Sequence, residues 1–93
     1  MAQLTVFDGA LPNLQDGNAM FFTSSLTSWD VELPSLTSAR WMFRDSKLTE
    51  WHIDLPNLTD GYGLFYSVRS LRSFKGDLSR LQDGFYMFLY GGL

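Results

Sequence analysis

A repeat solenoid, with a parallel β-sheet of about four short strands on one side and irregular or 3-10 connections on the other, is the fold class the sequence predicts. Three recurrences predict it. Leucine returns at Leu4, Leu26, Leu48 and Leu71, an aromatic ring returns three residues later at Phe7, Trp29, Trp51 and Phe74, and each unit closes on Met20-Phe21, Met42-Phe43, Leu64-Phe65 or Met87-Phe88. Self-similarity at a period in the twenties marks a stacked repeat. The step is 22 residues, and 23 from the third unit to the fourth. The added residue falls between Phe65 and Leu71, in a connection where extra length costs little. Repeats at 4–25, 26–47, 48–70 and 71–92 then form one domain over 1–93, and Leu93 opens a fifth.

Each element follows from the text of one unit. The leucine, the aromatic at +3 and Gly9, Val31, Ile53 or Gly76 at +5 alternate as inward side chains of a short strand. Strands are expected at 5–10, 27–32, 50–54 and 72–77, with Trp29 and Trp51 stacked between Phe7 and Phe74. Leu11-Pro12, Leu33-Pro34 and Leu55-Pro56 end them, because proline removes a ladder donor. The fourth unit has Leu78-Ser79 and should turn more loosely. Asp16-Gly17, Asp60-Gly61 and Asp83-Gly84 suit a turn with positive φ, Ser38-Ala39 being the exception. The Met/Leu-Phe pair anchors a return segment, expected as a short helical or 3-10 turn. Strict recurrence makes these methionine and aromatic columns core ladders rather than a ligand pocket.

With the columns laid out, the text Leu26-Thr27-Ser28-Trp29 through Met42-Phe43, and again Leu48-Thr49-Glu50-Trp51 through Leu64-Phe65, resembles leucine-rich repeats of the BspA-like class. The units are also similar to short repeats in phage and prophage structural proteins. The resemblance implies a leucine-rich-repeat fold and a role in adhesion, surface display or assembly, in a phage virion among other settings. It implies no enzymatic activity. The family often carries a cysteine three residues after the Phe, a position held by Val68 in the third unit.

Composition narrows the function classes. A net charge of −3 and a pI of about 4.7 argue against a nucleic-acid partner, which wants a basic stripe. With no cysteine, disulfides and thiolate chemistry are excluded. The N-terminal text lacks the basic and apolar regions of a signal peptide, and no apolar run is long enough for membrane insertion. A cytoplasmic or virion-associated location is expected, with no cofactor.

Two groups of residues could form a binding surface. The outward strand positions carry Asp8, Asp30, Glu32, Glu50, His52, Asp54, Lys75 and Asp77. They make an acidic face on which Glu32, Asp54 and Asp77 line up on successive strands and repel one another. As an adhesin-like module, this face would hold a basic ligand or a cation. Catalysis is not expected, because His52 is the only histidine and an open sheet offers no cleft. The second group is the apolar run holding Phe85, Tyr86, Phe88, Leu89, Tyr90 and Leu93, too many rings for one thin layer to bury. Uncapped repeat ends recruit partners. The first functional expectation is therefore a non-enzymatic structural or interaction module in a multi-copy assembly, joined through its ends to itself or to a larger complex.

Overall fold

In the computed structural model, residues 5–93 are described, so Leu4 lies outside the described residues. The principal extents are 31 × 28 × 21 Å and the radius of gyration is 11.8 Å. The expected leucine-rich-repeat solenoid with its four-stranded sheet is not what forms. Among the described residues there is no helix, and only two strands are present, β1 (Glu50–Trp51) and β2 (Ser73–Phe74). They pair in parallel as one two-stranded sheet, Glu50 opposite Ser73 and Trp51 opposite Phe74. The strands expected at 5–10 and 27–32 reduce to a single bridge between Val6 and Ser28.

The side chains explain why the strands stop so early. The indole N–H of Trp29 donates to the Val31 carbonyl at 2.9 Å, and that of Trp51 to the Ile53 carbonyl at 2.7 Å. Each ring thus occupies, from within its own segment, a carbonyl that a longer ladder would need. Past β1 a side chain takes one rung, Asp54 Oδ1 accepting the Asp77 N–H at 2.9 Å, before the backbone resumes with the Leu55 N–H on the Asp77 carbonyl at 2.9 Å. Gly76 lets the neighbouring segment come close, since a Cβ there would run into the Ile53 carbonyl.

What the 22-residue pattern does produce is backbone pairing between corresponding residues, one or two bonds at a time. Thr27, Thr49 and Arg72 N–H groups donate to the carbonyls of Thr5, Thr27 and Thr49. Thr37, Thr59 and Gln82 donate to Gln15, Thr37 and Thr59. On the return segments the direction reverses: Ala19 donates to Arg40, Trp41 to Tyr62 and Gly63 to Phe85.

Three corrections concern turns. The Leu-Pro turns close by an i to i+3 bond of 3.3–3.4 Å, with proline at the second position where its fixed φ fits. The fourth, Leu78-Ser79, was expected to be looser but closes at 3.0 Å, its Ser79 N–H held by Asp77 Oδ1. Positive φ does not fall on Gly17, Gly61 or Gly84 but two residues later, at Ala19, Trp41, Gly63 and Tyr86, and again at Thr23, Asp45, Ser67 and Tyr90. The return segment is accordingly not helical. It is a chain of i to i+3 turns such as Ala39–Met42 and Phe43–Ser46, whose third residue is left-handed as in a type II turn.

Glycine at position 17 answers a shortage of space instead, because a Cβ there would meet Met42 Sδ at 2.7 Å. The aspartates before these glycines cap the turn in Asx fashion. Asp16, Asp60 and Asp83 accept the N–H of Asn18, Tyr62 and Phe85 at 3.0–3.2 Å.

The core lies between the short strands and the return segments, with Leu26, Leu33, Leu48, Leu55, Phe43 and Phe65 at most 1% exposed. Two ring stacks run through it. Phe7, Trp29 and Trp51 stack at 5.4 and 6.4 Å, and Phe21, Phe43, Phe65 and Phe88 at 5.7–5.9 Å. Edge-to-face contacts such as Trp51 on Phe65 at 5.0 Å lock one stack to the other. Phe74 was expected to extend the tryptophan stack but instead meets Phe65 and Phe88 edge-on. The extra residue of the third unit is absorbed at Ser70, whose hydroxyl bonds the Leu48 carbonyl at 2.7 Å, where Lys47 uses its N–H on Leu26.

Candidate interaction surface

Surface chemistry divides between the strand side and the return segments. On the strand side Asp8, Asp30, Glu32, Glu50, His52, Asp54, Lys75 and Asp77 are all exposed. They are not a free row of charges, however. His52 Nε2 lies 3.0 Å from Asp30 Oδ1, pairing corresponding positions of adjacent units. Asp54 is the backbone acceptor described above, so it has a structural partner that the repulsion argument did not foresee. Among the described residues no three histidine or carboxylate side chains converge as a metal site. A shallow groove of about 270 Å³ borders this side, walled by Leu11, Pro12, Val31 and Pro34 with Asp30 and Glu32 at its rim.

The return segments present a different surface. Large side chains stand at the left-handed residues Trp41, Tyr86 and Tyr90 and immediately before Gly63 and Ser67, and the rings touch. Trp41 packs edge-on against Tyr62 at 5.0 Å and Tyr66 at 5.4 Å. Tyr62 reaches Phe85 and Tyr86 at 5.7 and 5.8 Å, and Tyr66 reaches Tyr90 at 5.6 Å. The Arg44 guanidinium sits among Phe22, Trp41 and Tyr66, 4.9–5.1 Å from each ring centre, with its Nε 3.3 Å from the Asp45 carboxylate. Arg40 lies 5.2 Å from the Tyr62 ring and bonds Asp60 at 2.6 Å. That hydrogen bond and charge raise the Arg40 guanidinium above its ordinary pKa, so it stays cationic at every working pH.

Six residues were expected to form an end interface. Phe85, Tyr86, Leu89, Tyr90 and Leu93 are 37–58% exposed, whereas Phe88 is half-buried as the last ring of its stack. The exposed rings continue onto the Trp41, Tyr62 and Tyr66 cluster, which sequence reasoning missed. The corresponding positions of the first unit hold Ala19, Asn18 and Phe22, only one of them aromatic, so no column announced them. The combination of tryptophan, tyrosine and arginine on one surface is the composition of protein-binding hot spots.

The same layer carries unused backbone donors. Among the described residues, the N–H groups of Gly84, Tyr86, Phe88 and Tyr90 have no acceptor, although their counterparts at Gly61, Gly63, Phe65 and Ser67 each donate to the next unit. No helix of the described residues is long and apolar enough to cross a membrane. No protein-family model matches the chain, and neither a curated protein nor a solved structure matches it.

Proposed function

We propose that this protein is a non-enzymatic interaction module that works in a multi-copy assembly, docking through the surface formed by Phe85, Tyr86, Leu89, Tyr90 and Leu93. The observation that carries the reading is the coincidence, on one layer, of five exposed large apolar side chains with four unpaired backbone donors. Exposed apolar patches of this kind favour association, and a row of free N–H groups templates pairing with another chain. A phage or prophage virion, the setting the resemblance implies, is one such assembly.

The test is molar mass against concentration by light scattering and sedimentation. The mass of the parent chain should rise with concentration. Leu89→Lys and Tyr90→Glu should hold it at one chain while leaving the thermal transition in place, because both side chains are exposed. A parent chain that keeps the mass of a monomer at millimolar concentration contradicts the proposal.

A further inference from the structure

We propose that the occupant of this surface is a second copy of the same chain, seated head to tail so that its first unit continues the 22-residue register. The inference rests on the reading above and adds the partner, the register and the contacts. It follows from comparing the last unit with the first, position by position.

The backbone comes first. The free N–H groups of Gly84, Tyr86, Phe88 and Tyr90 call for carbonyls at the positions of Asp16, Asn18, Met20 and Phe22. Among the described residues those four carbonyls accept no bond. Donors on one face thus match acceptors on the other in number, order and direction.

Side chains agree. Phe88 ends a stack whose members repeat at 5.7–5.9 Å, and Phe21, which begins that stack, is itself only half-buried. Placing Phe21 of the second copy on Phe88 continues the stack by one step. Met20 and Phe22, 43% and 47% exposed, come to lie against Met87 and Leu89. Charge fits at the strand side. Asp8, Asp30, His52 and Lys75 occupy corresponding positions, and the two middle members already pair at 3.0 Å. Asp8 and Lys75 have no ion partner among the described residues, and the joint sets one against the other. One juxtaposition opposes docking, since Asp83 meets Asp16. Both carboxylates are partly screened by the N–H groups they accept.

A head-to-tail contact of this kind uses different faces on the two partners, so it adds copies in series rather than stopping at two. That consequence separates it from a symmetric dimer.

The experiment is disulfide capture, clean here because the chain has no cysteine. In the Asp8→Cys/Lys75→Cys variant the two thiols of one chain are about three strand spacings apart, roughly 14 Å, too far to close within it. Across the joint they are neighbours at about 4.8 Å, within disulfide reach. Mild oxidation should give a series of cross-linked dimers, trimers and larger species. Asp30→Cys/Lys75→Cys, displaced by one unit, should give at least tenfold less.

If both variants cross-link equally or neither does while the parent's mass still rises with concentration, the copies dock otherwise. The register is then overturned and the interaction module stands. If the parent stays monomeric, the interaction reading falls, and this inference with it.

Discussion

Replacing Gly63 by alanine should destabilise the protein through two separable effects. Gly63 has φ +61°, where an L side chain costs about 1–2 kcal/mol. A Cβ at this position would also enter the six-membered ring of Trp41. Trp41 must then move, giving up edge contacts with Tyr62 and Tyr66 that are worth about 0.5–1.5 kcal/mol each. The two effects together predict a loss of about 2–5 kcal/mol. Urea denaturation of Gly63→Ala, Trp41→Ala and the double variant separates them. In the Trp41→Ala background only the backbone cost should remain, about 1–2 kcal/mol. Equal cost in both backgrounds would show that Trp41 does not lie on Gly63. A cost below about 0.5 kcal/mol in either would refute the left-handed backbone itself.

Trp51→Ala should cost about 3–5 kcal/mol in the same assay, because the ring is buried, closes one stack and satisfies the Ile53 carbonyl; a loss under 1 kcal/mol would contradict that packing. Thr23→Gly should stabilise by up to about 1 kcal/mol, since a β-branched residue stands at φ 53°, and a higher melting temperature is the expected readout. Ser46→Ala should be neutral or stabilising by about 1 kcal/mol, because the Ser46 hydroxyl is buried without a partner; a marked loss would reveal a bond the structure lacks. Asp54→Ala should cost about 1 kcal/mol by freeing the Asp77 N–H, whereas Asp54→Asn, which keeps an acceptor oxygen, should cost much less.

The sequence carried the columns of the fold better than its elements. Leu26, Leu48, Trp29, Trp51, Met42-Phe43 and Leu64-Phe65 were legible because a buried column repeats one residue type at one spacing, and they are buried, whereas Met20, Phe21 and Phe88 of the outer units are exposed or half-buried. Strand length was not legible. It is decided by hydrogen bonds that periodicity does not encode: an indole N–H on a carbonyl two residues ahead, and a carboxylate standing in for a backbone acceptor. The left-handed positions were misplaced because Asp-Gly drew attention to Gly17, Gly61 and Gly84, whereas the turn reverses two residues later, on Ala19, Gly63 and Tyr86, and on Trp41 in the second unit. Only the third unit, with Gly63, carries there the glycine that normally advertises positive φ.

The candidate surface was legible in part for the same reason. The run from Phe85 to Tyr90 is apolar enough to stand out in the text, but Trp41, Tyr62 and Tyr66 join it only through the fold. The acidic side chains were found, whereas the bonds that engage Asp30 and Asp54 were not, since both partners lie 22 or 23 residues away.

Amide hydrogen exchange at Gly84, Tyr86, Phe88 and Tyr90, measured at low and high protein concentration, tests the account most directly. In the isolated chain these four N–H groups have no acceptor among the described residues, so they should exchange nearly as fast as in an open peptide. At concentrations where the mass rises they should slow together by at least tenfold, while the amides of Gly61, Gly63 and Phe65, already bonded within the chain, change little. Exchange at all four that is equally fast at both concentrations would contradict the claim that another chain covers this face.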